Sequence, residues 1–353
     1  MEIDKYIISD HYSIRDAVKK MDEESTTFCL CLDSKNKAIG VMTDGDFRRA
    51  VHHGIQLDEN VTKVINRNFH WVHKNYTRKE IEVIFSNNII QQIPVLDGKR
   101  KVLDIISAEE FYGKNNGGKA KKVLGAPVVI MAGGKGTRLD PFTRILPKPL
   151  MPIGNDPVIK VIMDEFYKFG IHNFYISLND KGKMIMAYFH DHKLGYKINY
   201  LREDEPLGTA GALKYLQDKM KESFFVSNCD IIVHTDYSSF YDFHKKGGYG
   251  LSMVCSMRQY IIPYGVCKVD NVGELKSIQE KPQYDFLVNT GLYLLEPVVL
   301  QYIPEKAHFN MTDLIQKVQE NGLKVGIFPV SEKSWIDVGQ LSEYKETVNK
   351  LNL

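Results

Sequence analysis

A chain of 353 residues, 43% apolar and 25% charged, has the make-up of an ordinary globular protein with material for two or three domains. Its 46 basic and 44 acidic residues are spread along the chain and leave a net charge of +2, which argues against a nucleic-acid partner and for small, locally held anions. No run approaches the roughly 18 apolar residues that span a bilayer, and the charged start Met1–Tyr6 lacks a signal-peptide core. A cytoplasmic protein without a membrane partner is expected.

In chain order, the first elements expected are a helix from Ser13 to Met21 and a strand from Thr27 to Leu32. Period 2 places Cys29 and Cys31 on one face of that strand. A zinc knuckle needs a second such pair, and the sequence has none, so these read as reduced core thiols. The turn Asp33-Ser-Lys-Asn leads to a strand, Ala38 to Met42, and a helix opens at Thr43-Asp-Gly-Asp46 towards His53. The same series then returns: helix Arg78 to Asn87, strand Ile93 to Leu96, turn Asp97-Gly-Lys, strand Lys101 to Ile106, and a helix from Ser107. A period of about 60 residues predicts two equivalent units packed together.

This repeat resembles a tandem cystathionine-β-synthase (CBS) domain pair, through Gly40-Val-Met-Thr43-Asp-Gly-Asp46-Phe-Arg-Arg49. The resemblance implies that Thr43 and Asp46 contact the phosphate and ribose of a regulatory nucleotide, and that the chain forms a homo-oligomer. Thr43 can cap the helix, whose first-turn amides attract phosphate. A capping pair that binds nothing fits the same residues. The second copy departs from the pattern, with Asp104 where glycine is usual and Ser107 with Glu110 in place of threonine and aspartate.

The stretch Tyr112 to Pro127 is rich in glycine, asparagine and lysine and has no apolar period, which marks a linker. The expected division is residues 1–115 for the CBS pair, 116–126 for the linker and 127–353 for a larger domain. That domain opens with Pro127-Val-Val-Ile-Met131, a buried parallel strand by composition. It runs into Ala132-Gly-Gly-Lys-Gly-Thr-Arg138, whose glycines permit close approach of backbone amides to phosphate. The order of a P-loop is absent, and Pro141 and Pro147 break the immediate loop-to-helix succession of a dinucleotide fingerprint. Pro147 and Pro149 flank Lys148 and fix where its ammonium points.

Gly-Gly-x-Gly-Thr-Arg-Leu-x-Pro-x-Thr followed by Pro-Lys-Pro-Leu-x-Pro resembles the signature of the sugar-1-phosphate nucleotidylyltransferases. Four later segments follow that family's order: Pro206-Leu-Gly-Thr-Ala-Gly-Ala-Leu213 with a helix after it, Phe224 to Asp230, Glu280-Lys281-Pro282 with Val288 to Tyr293, and Trp335-Ile-Asp337-Val-Gly339. The resemblance implies an α/β fold, a Rossmann-like nucleotidyltransferase domain with a mixed, mainly parallel sheet, preceded by a smaller α+β CBS pair. It implies nucleotide binding by Ala132, Gly133, Gly134, Gly136, Thr137, Gly208 and Thr209, and catalysis by Arg138, Lys148 and Lys281. Sugar contacts fall to Glu280, Asn289, Thr290 and Gly291, and a magnesium ion (Mg2+) to Asp230 and Asp337.

The reaction implied joins a nucleoside triphosphate (NTP) to a sugar-1-phosphate and releases pyrophosphate. A CBS pair before this domain resembles the guanylyltransferases of bacterial legionaminic acid biosynthesis, which implies GTP and glucosamine-1-phosphate. A mannose-1-phosphate guanylyltransferase, a glucose-1-phosphate thymidylyl- or cytidylyltransferase, and a nucleotide-sensing regulatory protein are the alternatives. His52-His53 and His190-Asp-His192 lie outside the motif set and read as solvated rather than metal-bound. One more helix, Leu341 to Leu351, is expected near the end of the chain.

Overall fold

The computed structural model describes residues 3–87, 90–108, 111, 124–134, 136–179, 181–190, 192, 194–270 and 272–339. Glu110, residues 116–123 of the expected linker and the expected helix from Leu341 lie outside the described residues. The chain divides into two compact units, Met1–Lys121 and Lys122–Leu353.

The first unit is built as a repeat. Strand β1 (Ile7–Ser9), helix α1 (Ile14–Glu23), strands β2 (Phe28–Leu32) and β3 (Ala38–Thr43) and helix α2 (Asp44–His52) form the first copy. Strand β4 (Val72–His73), helix α3 (Arg78–Asn87) and strands β5 (Gln92–Leu96) and β6 (Val102–Ser107) form the second. Each copy has a three-stranded sheet in which the first pair is parallel and the second antiparallel.

The turns repeat to the atom. Asp33 Oδ1 accepts the amides of Lys35 (2.9 Å) and Lys37 (2.8 Å), and Asp97 Oδ1 accepts those of Lys99 (2.8 Å) and Lys101 (2.8 Å). Both helices open on a reciprocal cap: Ser13 with Asp16 for α1 and Thr77 with Glu80 for α3. The sequence reading misses β1 and β4, because segments of two or three residues carry no measurable period.

The second unit holds a seven-stranded sheet. In chain order its strands are β7 (Val128–Met131), β8 (Asn173–Leu178), β9 (Lys197–Arg202), β10 (Phe224–Asn228), β12 (Leu251–Ile261), β15 (Gln283–Leu295) and β16 (Val325–Val330). They lie side by side as β9-β8-β7-β10-β15-β12-β16, and β15 alone runs against the other six, so the sheet is mixed and mainly parallel, as expected. Outside that sheet, β11 (Ile231–Val233) pairs with β17 (Trp335–Asp337), β13 (Val266–Val269) with β14 (Leu275–Gln279), and Pro152–Ile153 with Asp156–Pro157.

Helices α4 (Val158–Tyr167), α5 (Gly182–His190), α6 (Tyr237–Gly247) and α7 (Met311–Glu320) complete the unit. Alternation along β7 explains why both sheet faces are covered. Val128 and Ile130 join a core with Phe166, Phe225 and Phe240, while Val129 and Met131 join a second core with Leu213, Val226 and Leu300. Each fully buried side chain of this size contributes about 1.5–3 kcal/mol. After Pro206–Leu213 the chain forms a 3-10 segment, Gly211–Leu216, instead of the expected helix; the Leu213 amide bonds the Ala210 carbonyl three residues back at 3.0 Å.

Candidate active site

The loop after β7 is held by what surrounds it. Ala132 donates its amide to Ser177 Oγ at 3.0 Å. A Cβ on Gly133 would stand 2.3 Å from Glu203 Oε1, so this residue has no room for a side chain. Gly136 has φ +69°, and a Cβ there would lie 3.1 Å from Lys148 Cβ and 3.2 Å from Thr143 Cγ2. The glycine therefore lets the loop fold flat against the Pro147-Lys148-Pro149 segment. Thr143 Oγ1 reaches Gly136 O at 2.9 Å, tying the two ends together. Gly134, Thr137 and Arg138 are exposed on the outer side of this loop.

The acids arrive from two strands that pair with each other. β10 ends at Asn228, Asp230 follows it, and Ile231 opposite Asp337 begins the β11–β17 pairing. The Val338 amide bonds the Asp230 carbonyl at 2.9 Å, and Gly339 N–H donates to Asp337 Oδ1 at 2.6 Å. A Cβ on Gly339 would lie 2.6 Å from Asp230 Oδ2, 2.8 Å from Asp337 Oδ1 and 3.0 Å from Lys148 Nζ. Two carboxylates and one ammonium thus converge on a single point that only glycine leaves open. Lys148 forms an ion pair with Asp230, and both side chains are mostly shielded from solvent.

The donors at that point are oxygens. The thiol of Cys229, next to Asp230, is pushed up to about 12 by burial and then by the Asp230 charge. Among the described residues no cluster of three or more His, Cys, Asp or Glu occurs. An ion that keeps several waters and takes one or two carboxylates, as magnesium does, fits such a sparse oxygen set.

The segment expected to frame the base is equally constrained. Gly208 has φ +81°, and a Cβ there would meet the Phe309 carbonyl at 2.6 Å. Thr209 Oγ1 accepts the Met311 amide at 2.8 Å, at the first turn of α7. Just before this loop lies Glu203, which the sequence reading passes over. It is 7% exposed; its Oε2 accepts the Leu207 amide at 3.0 Å, its Oε1 makes no well-formed hydrogen bond among the described residues, and the Ser177 hydroxyl lies close enough to favour its charged form. Burial raises its pKa, the Leu207 bond opposing that rise. The only signal for it in the sequence is an acid directly after a strand end and before Pro206-Leu-Gly.

The expected sugar residues lie along β15 and the turn before it. Glu280 and Lys281 are exposed on that turn, with Lys281 at φ +45°. Asn289 donates from Nδ2 to Tyr293 Oη at 2.7 Å, and its Oδ1 accepts the Gly291 amide at 3.0 Å. Thr290 is buried with its hydroxyl on the Val254 carbonyl at 2.8 Å. Gly291, at φ +91°, brings β15 against Asn228, two residues before Asp230; a Cβ there would stand 2.5 Å from Asn228 Nδ2.

In the first unit, Asp46 Oδ2 accepts both the amide (2.9 Å) and the hydroxyl (2.7 Å) of Thr43, and the Arg49 guanidinium pairs with its other oxygen. These contacts make Thr43 and Asp46 the cap of α2. His192 bonds the Tyr188 carbonyl at 2.6 Å through Nδ1 and stacks on the Tyr188 ring.

Comparison with known proteins bears on the second unit. The chain is 32% identical over 227 residues to a probable mannose-1-phosphate guanylyltransferase 1 of Oryza sativa subsp. japonica, covering 61% of this chain and 62% of that one. It is 28% identical over 241 residues to a UTP–glucose-1-phosphate uridylyltransferase of Synechocystis, covering 62% of each. The chain thus spans about three-fifths of the length of these curated relatives. Among solved structures, HddC of Yersinia pseudotuberculosis superposes with a TM-score of 0.51 at 25% identity, over 64% of this chain and 99% of that one. A putative glucose-1-phosphate thymidylyltransferase of Bacillus anthracis shares the fold, with a TM-score of 0.50 at 22% identity over 64% of this chain and 95% of that one. Residues 127–352, well over half of the sequence, match the model of the nucleotidyl transferase family, and the chain belongs to that family.

Proposed function

We propose that the second unit transfers a nucleotidyl group from an NTP to a sugar-1-phosphate, and that GTP and glucosamine-1-phosphate are its substrates. The observation that carries this reading is the convergence of Asp230, Asp337 and Lys148 at Gly339, beside a loop in which Gly133 and Gly136 are closely packed. An anionic oxygen of the sugar phosphate attacks the α-phosphorus; that P–O bond forms as the bond to the β-phosphate breaks and pyrophosphate leaves. The attacking oxygen is already ionised, so no general base is needed, and catalysis reduces to aligning two anions and offsetting their charge.

The residues divide that work. Lys148 and Lys281 hold the sugar phosphate, and Arg138 draws the departing β- and γ-phosphates. Gly133, Gly134, Gly136 and Thr137 offer backbone to the phosphates, Ala132 sets the start of that loop through its bond to Ser177, and Gly208 and Thr209 frame base and ribose. Glu280, Asn289, Thr290 and Gly291 line the sugar side. Asp230 and Asp337 hold magnesium, which when bound supplies positive charge against the phosphate oxygens.

Guanine is favoured by Glu203. Guanine presents a ring N–H and an amino group side by side, and a carboxylate is the side chain that accepts from both. With Oε2 on the Leu207 amide, Oε1 beside Gly133 is the oxygen left to accept from the base. Mannose-1-phosphate as acceptor is the second reading, favoured by the activity for which the rice relative is named. The first unit, with its two matching sheets and turns, is read as a CBS pair that binds a regulatory nucleotide at Thr43 and Asp46 and joins chains into a homo-oligomer.

Pyrophosphate release by the full chain with magnesium, four NTPs and the 1-phosphates of glucosamine, mannose and glucose tests the proposal. The fastest release is expected with GTP and glucosamine-1-phosphate. Release with no pair overturns the transferase reading, in favour of a nucleotide-sensing protein. A preference for UTP or dTTP with glucose-1-phosphate overturns only the substrates.

A further inference from the structure

Three alternate residues leaving β8 each take hold of the phosphate loop at a different point. Ser177 Oγ accepts the Ala132 amide at 3.0 Å. Asn179 donates from Nδ2 to the Gly133 carbonyl at 2.5 Å. The Lys181 ammonium donates to the carbonyls of Thr143 and Arg144. Spacing of two keeps the first two on one side of an extended chain. Asn179 Oδ1 then accepts the Lys181 amide at 3.2 Å, and its carbonyl accepts the Gly182 amide at 2.8 Å, which turns the chain into α5.

We propose that Ser177, Asn179 and Lys181 form a template that sets the segment from Arg138 to Lys148 in its working shape, with Lys181 as the positioning residue at its far end. The carbonyls it grips close a 3-10 turn, Phe142–Arg144, where terminal acceptors lack partners and a cation is favourable. Thr143 is 3% exposed, its methyl packs on Gly136, and Gly136 in turn meets Lys148. Displacing Thr143 therefore displaces both the turn that carries Arg138 and the lysine that pairs with Asp230. Lys181 acts through the loop and touches no reacting atom.

The test compares Lys181→Met and Lys181→Arg with the wild type, all as the full chain. Without nucleotide, trypsin should cut after Arg144, ahead of the 77%-exposed Ile145, about tenfold faster in the Met variant, and the Arg variant should restore most of the protection. Mass spectrometry of the peptide that begins at Ile145 reads this, with unchanged circular dichroism as the control. The kinetic arm rests on the transferase reading. There KM for the NTP should rise about tenfold, with equal loss for a nucleoside diphosphate inhibitor, because a misplaced loop weakens both. Unchanged cleavage overturns the template. So does a loss confined to the triphosphate, which would make Lys181 a direct phosphate contact. If the wild type releases no pyrophosphate, the transferase reading fails and the cleavage arm alone judges the template.

Discussion

The Thr43–Asp46 turn and the Ala132–Lys148 loop begin alike, each leaving a buried strand with a glycine close by and a charged residue a few positions on. They end differently. At Asp46 one carboxylate oxygen takes two bonds from Thr43 and the other takes Arg49, so both oxygens are engaged at the start of their own helix. Around the second loop the polar atoms are held in place but not used up. Glu203 Oε1 is buried with no well-formed hydrogen bond among the described residues, and Asp230, Asp337 and Lys148 crowd a point kept open by Gly339. Satisfying a polar group internally stabilises a fold, whereas holding one unsatisfied in a fixed place stores binding capacity.

The sharpest way to break this contrast is at the convergence point. Asp230→Asn removes one charge, and Gly339→Ala leaves every charge but puts a methyl 2.6 Å from Asp230 Oδ2, forcing the acids apart. Each should cut pyrophosphate release on the order of 10²–10³-fold with circular dichroism unchanged, since one misplaced or missing electrostatic group costs about that much. Near-normal turnover in both would remove the site from Asp230.

A smaller effect is expected at Glu203. The Gln variant should lose about tenfold in preference for GTP over UTP, the order of one hydrogen-bonded base contact. Burial raises the carboxyl's pKa, and base recognition needs its ionised form. Affinity for GTP in the wild type should therefore fall as pH drops through that raised value, earlier than an exposed carboxylate would allow. The Gln variant should lack this acidic limb in a calorimetric pH series, and a limb that persists would assign it elsewhere.

The smallest change belongs to the first unit. Asp46→Ala should cost that unit about 1 kcal/mol, the worth of a helix cap, in a denaturant titration. Pyrophosphate release by the second unit should be unaffected under saturating substrates. If the variant also erases a heat of nucleotide binding seen with the wild-type chain, the turn is a ligand site as well as a cap, and the contrast with the second loop narrows.

Local pattern made the phosphate loop and its partner strands legible. The Gly-rich run and the two prolines around Lys148 are contiguous, Asp230 follows the apolar stretch from Phe224, and Asp337 is marked by the motif Trp335-Ile-Asp337-Val-Gly339. Glu203, Asn179, Lys181 and Gly339 could not be read this way, because what makes each one matter is a neighbour distant in sequence. Lys181 meets carbonyls 37 and 38 residues away, and Gly339 meets an acid more than a hundred positions earlier. The reversed direction of β15 was likewise invisible: strand polarity is set by the path between strands, and alternation along a strand says nothing of it.

β15 itself carries a consequence for how the molecule breathes. Its outer residues, Gln283 to Asn289, are exposed or half-buried and pair with the outer part of β12, while Tyr293 to Leu295 are buried and paired on both sides, with β12 and β10. Amides of the outer part should exchange with solvent through local fraying, and those of the inner part only when the whole unit opens. A single strand thus joins backbone that frays easily to backbone that opens only with the whole unit, and between the two Gly291 rests against Asn228, two residues before Asp230.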